Sequence, residues 1–296
     1  MRIPIFTDDA GWHGAQLKQA FAARGVEAVF VSLQDCLIDL SQQQPHIQIP
    51  HFNGLPKSAF VRGVTGGTLP QVITRLNILH MLKALGVTIY NDGRAIERTV
   101  DKAMTSFLLR QANIDTPPTW ACESRHIAHE IIDQEINKKN EKLVIKPLFG
   151  SQGEGVRLVE KDKLPVPMDA FVDGVFYLQK FVNTGHNKHD YRVFVVGNQA
   201  VAAMRRCGDG WLHNVAQGAQ CEATDEADVL ELAIKAAQAI DIAYCGVDII
   251  RDADGKLWVL EVNSIPAWRG LQRAISVNAT QMVNIAQILV DDFIGR

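Results

Sequence analysis

The sequence predicts an α/β protein that begins with a parallel sheet, and three observations support this prediction. A strand–helix–strand pattern opens the chain at Arg2–Thr7, Trp12–Arg24 and Val26–Val31, an order that implies parallel strands. A glycine-rich loop lies between two apolar, β-branched runs in the middle of the chain. Near the end, a predicted hairpin at residues 246–263 brings two carboxylates face to face.

Composition excludes several classes of function. With 47% apolar residues, 21% charged residues and a net charge of −3, the chain resembles an ordinary soluble globular protein without a basic face for nucleic acid. No apolar run reaches the roughly 18 residues of a membrane span, and no basic-then-apolar leader opens the chain. Its 5 cysteines are scattered, which argues against a zinc site and against a disulfide framework. We therefore expect a cytoplasmic protein that binds neither nucleic acid nor membrane.

The first predicted domain spans residues 1–91. Its first helix ends where Gly25 supplies a C-terminal cap, and residues 36–58 are predicted to form a long loop with one short edge strand. A second helix begins at Thr68, which is expected to form a capping box with Gln71. The other elements predicted here are the strand end Phe60–Arg62, the helix body up to Leu85 and the strand Val87–Tyr90.

A glycine-rich turn, Gly63–Thr68, precedes that second helix. The first backbone N–H groups of a helix point towards an anion bound there, so such a turn can hold a carboxylate or a phosphate. Arg62 lies directly before the turn and adds a positive charge. An ordinary turn without a ligand is the alternative interpretation.

The middle of the chain carries a candidate phosphate loop. Lys146 stands at the end of a predicted strand, and the loop Gly150–Gly155 follows it. Three glycines and a serine let backbone N–H groups approach phosphate oxygens closely, which favours a nucleotide-binding flap over a merely flexible hairpin. A Walker loop would need G-K-[ST] and a following helix. The elements predicted for residues 92–182 are helices at Ile96–Gln111 and Ser124–Lys138 and strands at Leu143–Pro147, Val156–Val159 and Phe176–Val182.

The hairpin near the C-terminus carries the strongest turn signal in the chain, Asp254-Gly255. Counting outward from a two-residue turn pairs Ile250 with Val259. Two positions further out, the same count places Asp248 directly opposite Glu261.

A metal ion would explain this pair of acids. Opposed Cβ atoms lie about 4.5–5.5 Å apart, where two like charges repel by roughly 4 kcal/mol at an effective dielectric constant of about 20. A cation between them turns repulsion into attraction. Asn263 lies on the same face as Glu261, and such oxygen ligands suit Mg²⁺ that also binds a nucleotide's phosphates. A solvated hairpin end is the alternative interpretation.

Three arginines lie near one end of another predicted hairpin, which spans Tyr191–Met204. Arg192 and the Arg205-Arg206 pair would together favour anion binding beside the phosphate loop. The other elements predicted for residues 183–296 are helices at Ala227–Ile240 and Met282–Phe293.

Together these segments resemble the ATP-grasp superfamily and, within it, the RimK-type amino-acid ligases. The resemblance covers about residues 95–290, with order and spacing kept. The residues that carry it are Asp101-Lys102, Val144–Leu148, Gly150–Gly153, Leu178–Val182, Asp190–Val193, Ala202–Met204, Arg206, Asn214, Gly246–Asp248 and Glu261–Asn263. A narrower group, the glutamate ligases acting on tetrahydromethanopterin-like and deazaflavin cofactors, is resembled at Arg62, Gly67-Thr68, Arg75-Leu76, Glu97-Arg98 and Pro266–Leu271.

The resemblance implies an α+β ATP-grasp fold, in which subdomains 92–182 and 183–296 clasp ATP behind the N-terminal α/β domain. It implies that Lys102 and Lys146 hold the α- and β-phosphates. Arg206 would neutralise the transferring phosphoryl group, supported by Arg192 and Asn214. The other implied residues are Ser151, Gly153, Gln179, Lys180 and Val182 for ATP, Asp248, Glu261 and Asn263 for two Mg²⁺ ions (or Mn²⁺), and Arg62, Thr68, Trp268 and Arg269 for the acceptor.

Three positions depart from the family pattern. Lys180 stands where the family often has Glu, and His213-Asn214 replaces a commoner Thr-Asn. Gln217–Ala219 replaces Arg-Gly-Gly in the acceptor region. The acceptor is therefore left more open than the chemistry.

The resemblance implies an ATP-dependent ligase that joins a carboxylate to an amine through an acyl phosphate. The expected substrates are L-glutamate and a carboxylate-bearing, tetrahydromethanopterin-like cofactor. One alternative is a ligase that adds glutamate to a protein C-terminus, such as that of a ribosomal protein. Another is a nucleotide-binding regulator without turnover, against which the intact set of Arg206, Asp248, Glu261 and Asn263 argues. The sequence does not determine the oligomeric state, and a homo-oligomer is one of the alternatives.

Overall fold

The computed structural model describes residues 1–150, 154–161, 174–208, 210–211, 220–278 and 283–296. Within these ranges, every helix is too short or too polar to span a membrane. The strands are β1 (Arg2–Phe6), β2 (Glu27–Val31), β3 (Leu37–Asp39), β4 (His46–Gln48), β5 (Ser58–Val61), β6 (Thr88–Tyr90), β7 (Thr119–Cys122), β8 (Leu143–Lys146), β9 (Arg157–Val159), β10 (Phe176–Lys180), β11 (His189–Val196), β12 (Gln199–Cys207), β13 (Gln220–Ala223), β14 (Tyr244–Arg251) and β15 (Leu257–Asn263). The α-helices are α1 (Gly11–Ala23), α2 (Leu69–Ala84), α3 (Gly93–Val100), α4 (Lys102–Gln111), α5 (Arg125–Ile132), α6 (Ala227–Ile240), α7 (Arg269–Asn278) and α8 (Ile285–Gly295).

The first sheet is parallel throughout, as the opening pattern predicts. Its strand order is β2–β1–β5–β6. The helix α1 ends before Gly25, whose φ of 69° gives the left-handed conformation expected of a C-terminal cap. At the start of α2, the Gln71 side chain accepts a hydrogen bond from the Thr68 backbone N–H at 2.9 Å. This contact fixes the chain direction where the glycine-rich turn enters the helix.

Residues 36–58 differ from the predicted loop with one edge strand. The strands β3 and β4 pair with each other in a separate antiparallel sheet, after a short 3₁₀ helix at Leu33–Asp35. Ile47 and Ile49 are buried in the same cluster as Val31 and Leu33. These alternating apolar residues attach the two-stranded sheet to the first core, which the polar composition of the segment did not indicate.

The single helix predicted at Ile96–Gln111 is wrong, because Asp101 divides it into α3 and α4. The Asp101 carboxylate accepts hydrogen bonds from the backbone N–H groups of Ala103 at 2.8 Å and Met104 at 3.0 Å. An aspartate that caps a helix in this way starts a new one rather than continuing the old one. As a result, Lys102 is the first residue of α4.

The second sheet is antiparallel, in the order β7–β10–β8–β9. The helix α5 contacts β7 and β10 and continues as a turn of π-helix at Asp133–Lys138, which agrees with the predicted helix at Ser124–Lys138. Its apolar side packs Ile132 and Ile136 against Leu143 and Leu178. The sheet thereby fixes the strand ends that carry Lys146 and Lys180.

The third sheet is antiparallel, in the order β13–β12–β11–β14–β15. Alternate residues of β11 face opposite sides, as strand geometry requires. Val193 and Val195 pack in a core with α6, and Phe194 and Val196 pack in a core with α7 and α8. The predicted helix Ala227–Ile240 is confirmed with the same limits.

The first and third sheets share a core. Tyr90 stacks on Tyr244 with ring centroids 5.0 Å apart, and Phe60 stacks on Tyr244 at 5.5 Å. Asn91 is fully buried beside them, and its amide nitrogen donates to the carbonyl oxygens of Tyr244 at 2.7 Å and Ser264 at 2.8 Å. Its amide oxygen accepts hydrogen bonds from the backbone N–H groups of Ala243 and Tyr244. Asn91 therefore connects the first sheet to the hairpin β14–β15. The domain limits 1–91, 92–182 and 183–296 stay a prediction.

Candidate active site

The turn between β14 and β15 is longer than predicted. The Asp252 backbone N–H donates to the Lys256 carbonyl oxygen at 2.9 Å, so three residues lie in the turn rather than two. The extra residue shifts the strand register by one position. Ile250 therefore pairs with Trp258, and the predicted pairing of Ile250 with Val259 is wrong.

A β-bulge reverses this shift before the strands end. Ile249 pairs with Val259, and the next pair is Asp248 with Glu261, which makes Leu260 the extra residue on β15. The predicted opposition of Asp248 and Glu261 is therefore confirmed, although by a different path.

Asn263 lies beside Glu261, as the period of a strand predicts. The Asn263 amide nitrogen donates to Oε1 of Glu261 at 2.9 Å. The Glu261 Oε2 and the Asn263 side-chain oxygen take no part in this hydrogen bond.

Two arginines hold the Asp248 carboxylate. Arg192 donates to it through both Nε and Nη2, the latter at 2.7 Å, and Nη2 of Arg206 lies 3.1 Å from Oδ2. Burial opposes ionisation of Asp248, but Arg192 and Arg206 outweigh it and hold the pKa of this carboxyl below its usual range. The buried acid is therefore ionised between two cations.

The third arginine of the predicted cluster does not join the other two. Arg205 lies on the opposite face of β12, where its Nη2 donates to Glu226 at 2.6 Å. Side chains alternate along a strand, so neighbouring arginines cannot both face the cavity. Arg192 and Arg206 converge, and the expected convergence of Arg205 is wrong.

Two lysines enter the site from the other sheet and from α4. Nζ of Lys146 donates to the Gln179 side-chain oxygen at 2.6 Å. Nζ of Lys102 donates to the carbonyl oxygens of Leu148 at 3.2 Å and Gly150 at 3.0 Å. Burial lowers the pKa of both lysines, and the nearby Glu261 carboxylate opposes that effect.

Gly246 permits a close approach beside these charges. A Cβ atom on Gly246 would lie 2.9 Å from Cβ of Pro266 and 3.2 Å from Cδ of Arg192. Any larger residue would displace the segment that leads from Asn263 to α7, or the arginine that holds Asp248.

One cavity of about 620 Å³ is lined by the two lysines, by Arg192 and Arg206, and by the acidic and amide side chains of β14 and β15. It lies between the second and third sheets and is also lined by Gly150 and Glu154, which flank the loop 151–153. The residues singled out from the sequence that line it are Lys102, Lys146, Gln179, Lys180, Val182, Arg192, Arg206, Asp248, Glu261, Asn263 and Arg269.

A second cavity of about 460 Å³ adjoins the first. Its walls are the glycine-rich turn before α2, the junction of α3 and α4, and the end of β15. Lys102, Glu261 and Asn263 line both cavities, so the two spaces meet at Glu261, whereas Asp248 lines only the first.

The remaining residues named from the sequence do not line the first cavity within the described ranges. Ser151, Gly153 and Asn214 lie outside the residues that the structure describes. Thr68 is exposed at the N-terminus of α2. The Arg62 guanidinium lies 5.1 Å from the ring centroid of the buried Trp268, so this pair forms part of the wall behind α7.

Sequence reasoning gave no role in the site to Asp190, although it lies in a segment that carries the family resemblance, and it did not single out Arg273. Asp190 on β11 is buried and faces Arg206, and Arg273 on α7 lies one helical turn after Arg269. Alternation along the strand from Arg192 would have placed Asp190 on the same face as that arginine. The four-residue spacing of Arg269 and Arg273 was also present in the sequence.

Comparison with protein families matches residues 99–289 to the RimK-like ATP-grasp domain. The chain belongs to the RimK-like ATP-grasp family. It is an ATP-grasp ligase. The chain is 33% identical to a tetrahydromethanopterin:alpha-L-glutamate ligase of Methanococcus maripaludis, over 99% of this chain and 97% of that protein. It is 30% identical to a probable alpha-L-glutamate ligase of Vibrio vulnificus, over 96% of this chain and 94% of that protein.

Solved structures confirm the ATP-grasp fold for this ligase. A RimK domain protein from Sphaerobacter thermophilus covers 100% of both chains with a TM-score of 0.72 and 20% identity. The ATP-grasp ligase PsnB, in complex with a precursor variant, Mg and ADP, covers 99% of this chain and 97% of its own with a TM-score of 0.72 and 19% identity. The fold class predicted from the sequence is therefore confirmed.

Proposed function

We propose that this ATP-grasp ligase adds L-glutamate to a carboxylate of a tetrahydromethanopterin-like cofactor. One observation carries the proposal: Lys102, Lys146, Arg206 and the opposed Asp248 and Glu261 converge on one cavity. That convergence occurs in a chain 33% identical to a tetrahydromethanopterin:alpha-L-glutamate ligase over almost its whole length. The substrates would be two small molecules and ATP.

The end of β10 offers a place for adenine. The Lys180 backbone N–H donates to the Pro118 carbonyl oxygen at 2.8 Å, next to the paired residues Gln179 and Thr119. Pro118 has no N–H with which to return a hydrogen bond. The Lys180 carbonyl oxygen is therefore available to an exocyclic amino group, and Val182 lines the same part of the cavity.

The acid pair fits Mg²⁺. Glu261 and Asn263 each keep an oxygen free of their mutual hydrogen bond, and Oδ1 of Asp248, which accepts from Arg192 Nε, has a further lone pair. Among the described residues, no group of three or more His, Cys, Asp or Glu side chains is arranged to hold a metal ion, so phosphate and water would complete the coordination. Mg²⁺ held here would screen the charge on the phosphate oxygens. We propose two ions, with Mn²⁺ as a substitute.

The two lysines and the arginines suit the phosphoryl step. An oxygen of the acceptor carboxylate attacks the γ-phosphorus, the bond to the bridging oxygen breaks, and ADP leaves. Lys102 and Lys146 would hold the α- and β-phosphates, and Arg206 would neutralise the transferring group with Arg192 in support. Arg206 is buried, so water screens its charge less than it screens the charge of an exposed cation.

The second step forms the amide. The glutamate nitrogen attacks the carbonyl carbon of the acyl phosphate, phosphate leaves with the bridging oxygen, and the nitrogen loses a proton. Arg206 would face the oxyanion that forms at this carbon, with Asn214 as a supporting residue. Neither step needs a side-chain nucleophile.

The second cavity supports entry of the acceptor from the N-terminal side. The glycine-rich turn that lines it is flanked by Arg62 and Thr68, and the opposite wall carries Glu261. A carboxylate in this space would lie next to Lys102 and Glu261, where the two cavities meet. Trp268, behind Arg62, would support that wall.

The test is a reaction with ATP, Mg²⁺, L-glutamate and tetrahydromethanopterin. We expect ADP release that requires both substrates, and a pterin product heavier by one or more glutamyl residues. ADP release that ignores either substrate contradicts the proposal. A ribosomal protein with labelled glutamate serves as a separate acceptor, and label in protein but not in pterin would favour the protein-modifying alternative.

A further inference from the structure

Two arginines at the start of α7 line the first cavity. Arg269 and Arg273 are four residues apart, so they lie one above the other on the same side of the helix. Both line the cavity, together with Pro266, Ala267 and Gly270. The opposite side of α7 is buried through Leu271 and Ala274, which fixes the helix against the third sheet.

The other cations of this cavity have partners in the protein. Lys102 and Lys146 donate to oxygen atoms of the chain, and Lys180 pairs with Glu141 at 2.6 Å. Arg192 and Arg206 are held by the buried acids. Each of these side chains therefore has part of its hydrogen-bonding capacity committed before a substrate binds.

Arg269 and Arg273 differ from this group. Among the residues that the structure describes, neither guanidinium makes a hydrogen bond or an ion pair, and Arg269 only lies 5.9 Å from the ring centroid of Trp12. Two positive charges one helical turn apart repel each other. An anion bound between them removes that repulsion.

We propose that Arg269 and Arg273 bind the carboxylates of the incoming amino acid and thereby select an acidic one. This inference rests on the proposed function. It assigns Arg269 to the binding of the amino acid, whereas the family resemblance implied that Arg269 binds the acceptor. Guanidinium groups are suited to carboxylates because their N–H groups match the two oxygens in one plane. Two guanidinium groups side by side match a dicarboxylate such as glutamate.

The chemistry favours the amino acid over the acceptor as the owner of these carboxylates. The reacting carboxylate of the acceptor loses its charge when it becomes an acyl phosphate and then an amide. A strong ion pair to it would stabilise the ground state and raise the barrier. Both carboxylates of the amino acid keep their charge through the reaction, so their ion pairs persist in every step.

The test compares Arg269→Gln and Arg273→Gln with the native enzyme, using L-glutamate, L-glutamine and glutamate α-amide as amines. We expect the KM for glutamate to rise 10- to 100-fold in each variant, while the KM for ATP changes less than threefold. Glutamine and the α-amide each lack one of the two carboxylates of glutamate. With the amide that lacks the carboxylate bound by a given arginine, replacing that arginine should no longer change the KM. Arg273→Lys should recover part of the affinity.

The control is Arg94→Gln, which changes an exposed arginine that lines neither cavity. A rise in the KM for the acceptor instead of glutamate would overturn the assignment to the amino acid. A rise in the KM for ATP, or an equal loss with all three amines, would overturn it as well. If the native enzyme does not use glutamate, the proposed function itself is refuted. If the native enzyme uses glutamate and the Arg273→Gln variant has the same KM for it, only this inference is refuted.

Discussion

Asp190 and Arg206 lie directly opposite each other on β11 and β12, and both are buried. The carboxylate accepts two hydrogen bonds from the guanidinium, from Nε at 2.6 Å and from Nη2 at 2.8 Å. The same Nη2 atom lies 3.1 Å from Oδ2 of Asp248. Burial opposes the charge on Arg206, but Asp248 and Asp190 outweigh it and raise the pKa of the guanidinium, so the arginine is held both charged and in one orientation.

Asp190 is therefore expected to act as a positioning residue for Arg206. The variant Asp190→Asn keeps the shape but loses one negative charge and one acceptor position. We expect kcat to fall about 10- to 100-fold because a charge-assisted pair contributes roughly 1.5–3 kcal/mol. The KM for ATP should change less than threefold, because the lysines that hold its phosphates are intact.

Steady-state kinetics and a double-mutant cycle with Arg206→Lys measure this effect. The two changes should be strongly non-additive, since each removes the same interaction. Asp133→Asn is the matched control, because the Asp133 side chain is about half exposed and pairs with the surface residue Lys138. Additive effects, or a native kcat in Asp190→Asn, would mean that Arg206 does not depend on its partner.

The sequence predicted the local parts of the site better than its distant contacts. The opposition of Asp248 and Glu261 is correct because strand pairing is set by neighbours in the chain. The details were wrong, since a longer turn and a bulge cancel each other and no simple count finds them. The helix break at Asp101 was also missed. The only sign of it in the sequence is an aspartate, a residue type that often caps helices, inside an apolar pattern that continues past it.

Contacts between distant segments could not be read from the sequence. The Asn91 amide nitrogen binds carbonyl oxygens that lie more than 150 residues later, at Tyr244 on β14 and at Ser264 directly after β15. Arg273 resembles any exposed helical arginine until α7 is placed against the third sheet. Periodicity reports the face of an element, and only the tertiary fold reports what that face meets.

The first test of the metal site is Glu261→Gln. Glutamine keeps an oxygen that can accept the hydrogen bond from Asn263, so the hairpin should remain folded. It loses the negative charge that opposes Asp248 across the strands, and with it a hard ligand for Mg²⁺. We expect kcat to fall about 100-fold or more, and the free energy of unfolding to change by less than about 1 kcal/mol.

ADP release under saturating ATP measures the first quantity, and urea unfolding measures the second. Glu231→Gln is the matched control, because Glu231 is exposed on α6 and pairs with the exposed Lys235. A Glu261→Gln enzyme with near-native turnover would show that the metal assignment is wrong.

Asn91→Leu tests the link between the first sheet and the site. The change leaves two buried carbonyl oxygens, one buried N–H group and one part-buried N–H group without their side-chain partner. Each such loss costs about 1–3 kcal/mol, so we expect the free energy of unfolding to fall by roughly 4 kcal/mol or more. Activity should fall too, because Ser264 follows the proposed metal ligand Asn263.

Urea unfolding of Asn91→Leu and of Asn137→Leu gives the comparison. Asn137 is exposed and donates to the Asp133 side chain at the surface, so its replacement should cost less than about 1 kcal/mol. Equal stabilities of the two variants would contradict the role given to Asn91.

His13 should make the stability of the protein depend on pH. Its Nε2 accepts a hydrogen bond from the Trp268 backbone N–H at 3.1 Å, and its ring packs against Trp268 with centroids 4.5 Å apart. Burial and the nearby Arg62 and Arg269 lower the pKa of His13 to about 4. The folded protein therefore holds the neutral ring, while the unfolded chain protonates near the ordinary value of about 6.5.

The sign of the effect follows from these two values. The contribution of His13 is fully present above pH of about 6.5 and is lost as the pH falls from there towards about 4. Because the ring is half-buried, solvent screening reduces the loss, and we expect on the order of 2 kcal/mol. His13→Gln keeps an acceptor for the Trp268 N–H but has no titration. Urea unfolding of both proteins between pH 7 and 4.5 should give a difference that shrinks with acidity, whereas parallel curves would show that His13 is protonated as readily in the folded protein as in the unfolded chain.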